Sequence, residues 1–196
     1  MIALIPTPSD APMALKAAIH KVQLQVADMD RHYYAAHALT VARHPSETDE
    51  RMMVRLLAFV LNAEESLAFG RGVSTDDEPD LWQRSVTGDI ERWIQLGQPD
   101  ERAIRRACGR ARQVIIYTYS GHGADLWWKP MASKCAPLDN LAVVDVAQGS
   151  VKAMAAMAVK NMTLNAMVQD GGVWLTSPEA SVDVELTVRK PLATRR

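Results

Sequence analysis

The chain has little cysteine, no long apolar run and almost no net charge, and each shortage removes a class of protein. Cys108 and Cys135 are its two cysteines. They have neither a CxxC partner nor a paired spacing, so no disulfide framework is expected and a reduced, cytoplasmic setting is. No apolar stretch approaches the ~20 residues that cross a bilayer. The opening Met1-Ile2-Ala3-Leu4-Ile5 is too short for a secretory segment and has no basic residue before it. A membrane role is therefore not expected. With a formal net charge of −1 and a pI near 6.5 there is no global pull on nucleic acid. Any such contact needs a local patch or a bound metal. Motifs are missing too. His20, His32, His37, His44 and His122 show no HExxH spacing. Gly121-His122-Gly123 lacks the third glycine of a dinucleotide fingerprint and reads as a strand-end turn. Neither a serine nor a cysteine lies in a nucleophile motif.

What remains is an ordinary globular composition. The chain has 196 residues, 48% apolar and 23% charged, enough for one buried domain and too little for two. Residues 1–12 carry three prolines and no periodic pattern, which predicts a disordered leader before a single domain over 13–196, with Met13 as an alternative start. Alternation from Leu15 to Val26 and from Tyr33 to Ala42, around a turn at Asp28–Arg31, predicts a hairpin. Ser46 is the expected N-cap of an amphipathic helix reaching about residue 65, with Asp49 as its capping-box acid. Met52, Met53, Leu56, Leu57, Val60 and Leu61 form its apolar face. Two strands are expected around 80–96, then a helix opened by Pro99-Asp100-Glu101. A buried strand over 113–119, a short helix over 127–136, a strand over 141–146, a helix over 150–160 and an alternating tail over 162–190 complete the reading. Helices interleaved with central strands, and hairpins at both chain ends, predict an α/β fold built on a mixed sheet.

The densest chemistry lies in Asp76-Asp77-Glu78-Pro79-Asp80-Leu81-Trp82. Carboxylates this close repel unless they are solvated or share a cation. The segment is thus either a solvated acidic loop or one half of a site in which Mg²⁺ or Mn²⁺ is held against phosphate oxygens. Arg102, Arg105, Arg106, Arg110 and Arg112 form a basic cluster, in which Arg102, Arg106 and Arg110 make one helical stripe. It is read as either a solvated helix face or a phosphate contact. Trp82, Trp93, Trp127, Trp128 and Trp174 are suited to base stacking or, on alternating strands, to buried packing.

Several strings together resemble the YaeQ family of bacterial proteins. They include Ala42-Arg43-His44-Pro45-Ser46-Glu47-Thr48, Glu50-Arg51-Met52-Met53-Val54-Arg55, Asp76 to Trp82, Leu96-Gly97-Gln98-Pro99-Asp100-Glu101, Trp127-Trp128, and Val168 to Leu175. The likeness runs from Met13 to about Leu186. It implies a restriction-endonuclease-like, or PD-(D/E)XK, core of order α-β-β-β-α-β flanked by helices, with extra strands at both chain ends. In such cores an acid on the first helix and the aspartate of a Pro-Asp pair bind metal, and a second acid and a lysine on the next strand complete the site. Carried over, Glu50 (or Glu47), Asp80 and Glu91 are the implied metal ligands. Gln95 stands where relatives usually carry glutamate, and Arg105 or Arg106 stands in for the missing lysine. Arginine holds phosphate but is a poor base. Two functions follow: a Mg²⁺- or Mn²⁺-dependent nucleic-acid phosphodiesterase with a degenerate site, or a non-catalytic module that binds nucleic acid or protein in a regulatory role, loosely linked to transcription.

Overall fold

The structure, a computed structural model, describes residues 17–70 and 78–193. The expected leader, the alternative start at Met13, the first residues of the expected first strand, and Asp76 and Asp77 lie outside the described residues.

In chain order the elements are β1 (Ala18–Asp28), β2 (Tyr33–Arg43), α1 (Asp49–Asn62), β3 (Leu67–Phe69), β4 (Leu81–Arg84), β5 (Ile90–Leu96), α2 (Glu101–Arg110), β6 (Ala111–Thr118), α3 (His122–Cys135), β7 (Leu141–Val146), α4 (Gln148–Ala155), β8 (Asn161–Gln169), β9 (Gly172–Thr176), β10 (Ser181–Asp183) and β11 (Leu186–Lys190). The run α1-β3-β4-β5-α2-β6 has the α-β-β-β-α-β order that the resemblance implies. The strands build two mixed sheets. One has the order β10-β9-β8-β1-β2, with β1 parallel to β8; the other has the order β11-β7-β6-β5-β4-β3, with β5, β6 and β7 parallel. The hairpins at the two chain ends therefore meet in a sheet of their own, because alternation gives each one apolar face and the two faces are buried together.

Helix α1 lies between the sheets. Met52, Met53, Val54, Leu56, Leu57, Ala58, Phe59 and Val60 are all buried in one cluster with Val22, Leu24, Leu164 and Leu175 of the first sheet and Ile94, Leu96, Ile115 and Tyr117 of the second. The expected one-sided helix is thus buried nearly all round. Its N-cap is Thr48, whose side chain accepts from the Arg51 amide, and not Ser46. Ser46 instead forms a hydrogen bond with His44 Nδ1 (2.6 Å), as part of the loop packed before the helix. The opposite face of the six-stranded sheet carries a second core, in which Trp93, Val114, Ile116, Leu141 and Val143 pack on Ile104 and Ala107 of α2 and Met131 and Cys135 of α3. Helix α3 starts at His122, so Gly121-His122-Gly123 is a helix start and not only a turn. Gly121, at φ +56°, lets the chain turn from strand into helix within the three residues after Thr118. Helix α2 opens at Glu101, one position past the expected start: Asp100 is its N-cap, accepting from the Ala103 amide at 2.7 Å, and Pro99 precedes the helix.

Candidate functional site

The cleft opens where β5 ends and α2 begins, on the side where the parallel strands present their carboxyl ends, the usual ligand edge of an open α/β sheet. It encloses about 570 Å³, with Trp93, Ile104 and Val114 as its apolar floor and Arg51, Asp80, Gln95, Arg102 and Arg106 among its polar walls.

Asp80 is placed by backbone. Its amide donates to Ile94 O (3.0 Å) as β4 joins β5, and its Oδ2 accepts from the Leu96 amide at 2.7 Å. Its Oδ1 is held by Arg51 Nη2. Arg51 also reaches Glu47 Oε1 (2.9 Å), and Glu47 Oε2 accepts from Arg55 Nη2 (2.9 Å), which donates in turn to Ala42 O. Asp80, Glu47 and Arg55 are 5%, 4% and 3% exposed, so this is a buried chain of alternating charges. Burial works against the charge of Arg51, but Asp80 and Glu47 together outweigh it and raise its pKa above the ordinary arginine value. Burial lowers the pKa of Arg55, where Glu47 compensates only in part. Tyr119, at the end of β6, stands beside the same charges. Burial raises its phenol pKa, Arg51 opposes that, and Asp80, Glu47 and Glu50 add to it.

Of the residues singled out in the sequence, the cleft brings together Glu78, Asp80, Trp93, Gln95, Arg102 and Arg106. Gln95 Oε1 accepts from Trp93 Nε1 at 3.2 Å. Glu50 is half-buried in the first turn of α1, close enough for its charge to act on Tyr119. Glu91 shares a strand face with Trp93 and Gln95 but lies five residues before Leu96, roughly 16 Å away along the strand. There it pairs with Arg112 (3.4 Å) and rims a different cavity with Arg92 and Gln113. Arg105 is exposed and pairs with Glu101 (2.9 Å). Of the basic stripe, Arg102 and Arg106 line the cleft, while Arg110 lies over the Trp93 ring, 5.4 Å from its centroid. Two residues join the site that the sequence alone did not single out, Arg51 and Tyr119, while Trp93 takes the buried-packing role as the cleft floor. The signal for Arg51 was the Glu47–Arg51–Arg55 spacing, which sets an acid just ahead of two arginines on successive turns.

Among the described residues the donor set does not fit a divalent cation. Both oxygens of Asp80 are engaged, one of them by a guanidinium standing where a metal would have to approach, and Gln95 adds no negative charge. Among the described residues no three metal-ligating side chains gather. No helix among them is long and apolar enough to cross a membrane.

Fold and cleft together define a two-sheet mixed α/β protein whose buried acid is already neutralised by arginine. The family model described as YaeQ protein matches residues 13–186, and the chain belongs to the YaeQ family. It is 46% identical over 175 residues to the proteins named uncharacterized protein YaeQ of Salmonella typhi and of Escherichia coli (strain K12), covering 89% of this chain and 97% of each relative. The crystal structure of the YaeQ protein from Xanthomonas axonopodis pv. citri superposes with a TM-score of 0.87 at 46% identity, covering 89% of this chain and 98% of that one. The YaeQ protein from Pseudomonas syringae gives 0.85 at 32% identity, covering 89% and 97%.

Proposed function

We propose that the protein is a nucleic-acid-binding module of nuclease-like fold that holds backbone phosphate in the cleft without cleaving it. The observation that supports this reading is the pairing of Asp80 with Arg51. Hydrolysis needs a carboxylate to position a metal or activate water, and here that carboxylate is spent on a guanidinium. The arginines fit phosphate instead. Arg102 is exposed on the cleft wall, Arg106 lines the same wall one turn on, and Arg51 lines the cleft beside Asp80. The nuclease-like order of elements and the place of Asp80 at the carboxyl edge of the parallel strands support descent from a hydrolytic site. Mg²⁺ or Mn²⁺ is on this reading a competitor of Arg51 for Asp80.

Binding is tested by fluorescence anisotropy with labelled single- and double-stranded DNA and RNA over a salt series. Affinity falls with salt, and Arg102→Ala weakens it for every sequence and lowers the salt slope by about one. Incubation with Mg²⁺ or Mn²⁺ leaves the strands intact on a denaturing gel. Absence of binding to all four at low salt would overturn the reading, and cleavage lost in Asp80→Ala would replace it with a hydrolytic one.

A further inference from the structure

We infer that a second copy of this chain pairs with the free edge of β2, joining two five-stranded sheets into one continuous sheet across a two-fold axis. The inference is independent of the cleft. Among the described residues β2 is the last strand of its sheet and pairs with β1 alone. It runs for eleven residues, Tyr33–Arg43, with an unbroken register against β1. Long edges are normally blunted by lysine, proline, a bulge or a covering element. This one has no lysine, proline or acid; its charge is Arg43, at the last position.

The backbone shows which groups are open. Lys21 of β1 donates to Lys160 O, beside β8, so the odd residues of β1 bond toward β8 and the even ones toward β2. By the register His20↔Val41, Val22↔Leu39, Leu24↔His37, the odd residues of β2 are bonded to β1. The N–H and C=O groups of Tyr34, Ala36, Ala38 and Thr40 therefore point outward. The carbonyl of Ala42, in the same series, is bonded by Arg55 rather than by β1. The side chains of Tyr34, Ala36, Ala38, Thr40 and Ala42 are exposed on the outer face, and those of Tyr33, Ala35, His37 and Leu39 are only half-buried on the inner one, so the strand lacks cover on two sides.

The sequence of β2 fits its own copy. Directly opposite residues lie on one face, so the axis must fall on a residue, and only an axis on Ala38 uses all eleven. It sets Ala38 against Ala38, Ala36 against Thr40 and Tyr34 against Ala42, with Arg43 facing the Tyr33 ring and no like charges opposed. An axis on His37 would oppose two imidazoles and bring Arg43 across from Arg31. The ladder on Ala38 makes about eight hydrogen bonds, the Ala42 carbonyls being held by Arg55, which is within the range a standard protein interface carries.

Sedimentation equilibrium of the full chain tests this, and the expected result is a dimer in the micromolar range. Ala38→Lys and Ala38→Asp each place like charges across the axis and raise the dissociation constant by about tenfold or more. Mixing the two variants restores a heterodimer, because position 38 meets only itself. Unchanged thermal midpoints of the separate variants at low concentration show that the fold is intact. A wild-type monomer throughout the range overturns the inference; if its Tyr34, Ala36, Ala38 and Thr40 amides exchange slowly, another part of the chain covers the edge. Dimers that persist in both single variants overturn it as well.

Discussion

At the residue scale, Gly70 reaches the cleft through backbone alone. A Cβ there would lie 2.0 Å from Pro79 O, and the Gly70 amide donates to Asp80 O at 2.8 Å. Gly70→Ala must push the Pro79–Asp80 segment away from β3 and is expected to cost about 1–3 kcal/mol. It should also weaken the nucleic-acid binding proposed for the cleft although it removes no charge; a variant with wild-type stability would show that the segment yields freely. Tyr117 governs alkaline stability. Burial pushes its phenol up to about 12, while Asn62 Nδ2 donates to the phenol oxygen at 2.8 Å. The phenol stays protonated in the folded chain where an unfolded one ionises, from pH 10.0 upward. Its contribution is therefore intact below that pH and lost as pH rises toward about 12, a fall of about 2–3 kcal/mol. Tyr117→Phe starts about 1 kcal/mol lower, because Asn62 loses an acceptor, and lacks that part of the decline. Urea melts of the two chains across the window check this, and parallel curves would remove Tyr117 as the cause.

At the scale of elements, the start of α1 separates the two cap candidates. Thr48→Ala removes the acceptor of the Arg51 amide and should cost about 1 kcal/mol. Ser46→Ala loses an exposed contact with His44 and should stay within a few tenths of a kcal/mol. Equal losses in thermal melts would return Ser46 to the cap. Most elements were legible because they are long and periodic: the period of two in β1 and β8, the helical recurrence from Met52, the Pro99-Asp100 opening of α2. Leu67–Phe69 was not legible, since three residues carry no period and the strand forms only through its ladder with β4. The start of α3 was hidden for a related reason: Pro130 lies inside that helix and the glycines before it read as a stop.

For the whole molecule, α1 makes the two sheets one cooperative unit. Leu57, 1% exposed, lies in the cluster shared by both. Leu57→Ala should cost about 2–5 kcal/mol. Tryptophan fluorescence, from Trp93 behind one sheet and Trp174 on the other, should keep the same midpoint as far-UV circular dichroism. Separated midpoints would mean that the sheets unfold independently. The sequence by itself determined the α/β class, nearly every element, the family and the location of the acidic segment, because local periodicity, capping and motif strings are written in neighbouring residues. Tertiary structure decided that the hairpins at the two chain ends share a sheet, that Glu91 stands away from Asp80, and that Arg51 reaches across 29 positions to neutralise it. Those outcomes depend on which apolar faces are buried together and on which charges become too costly to leave alone once water is excluded, and neither is set by neighbours in the chain.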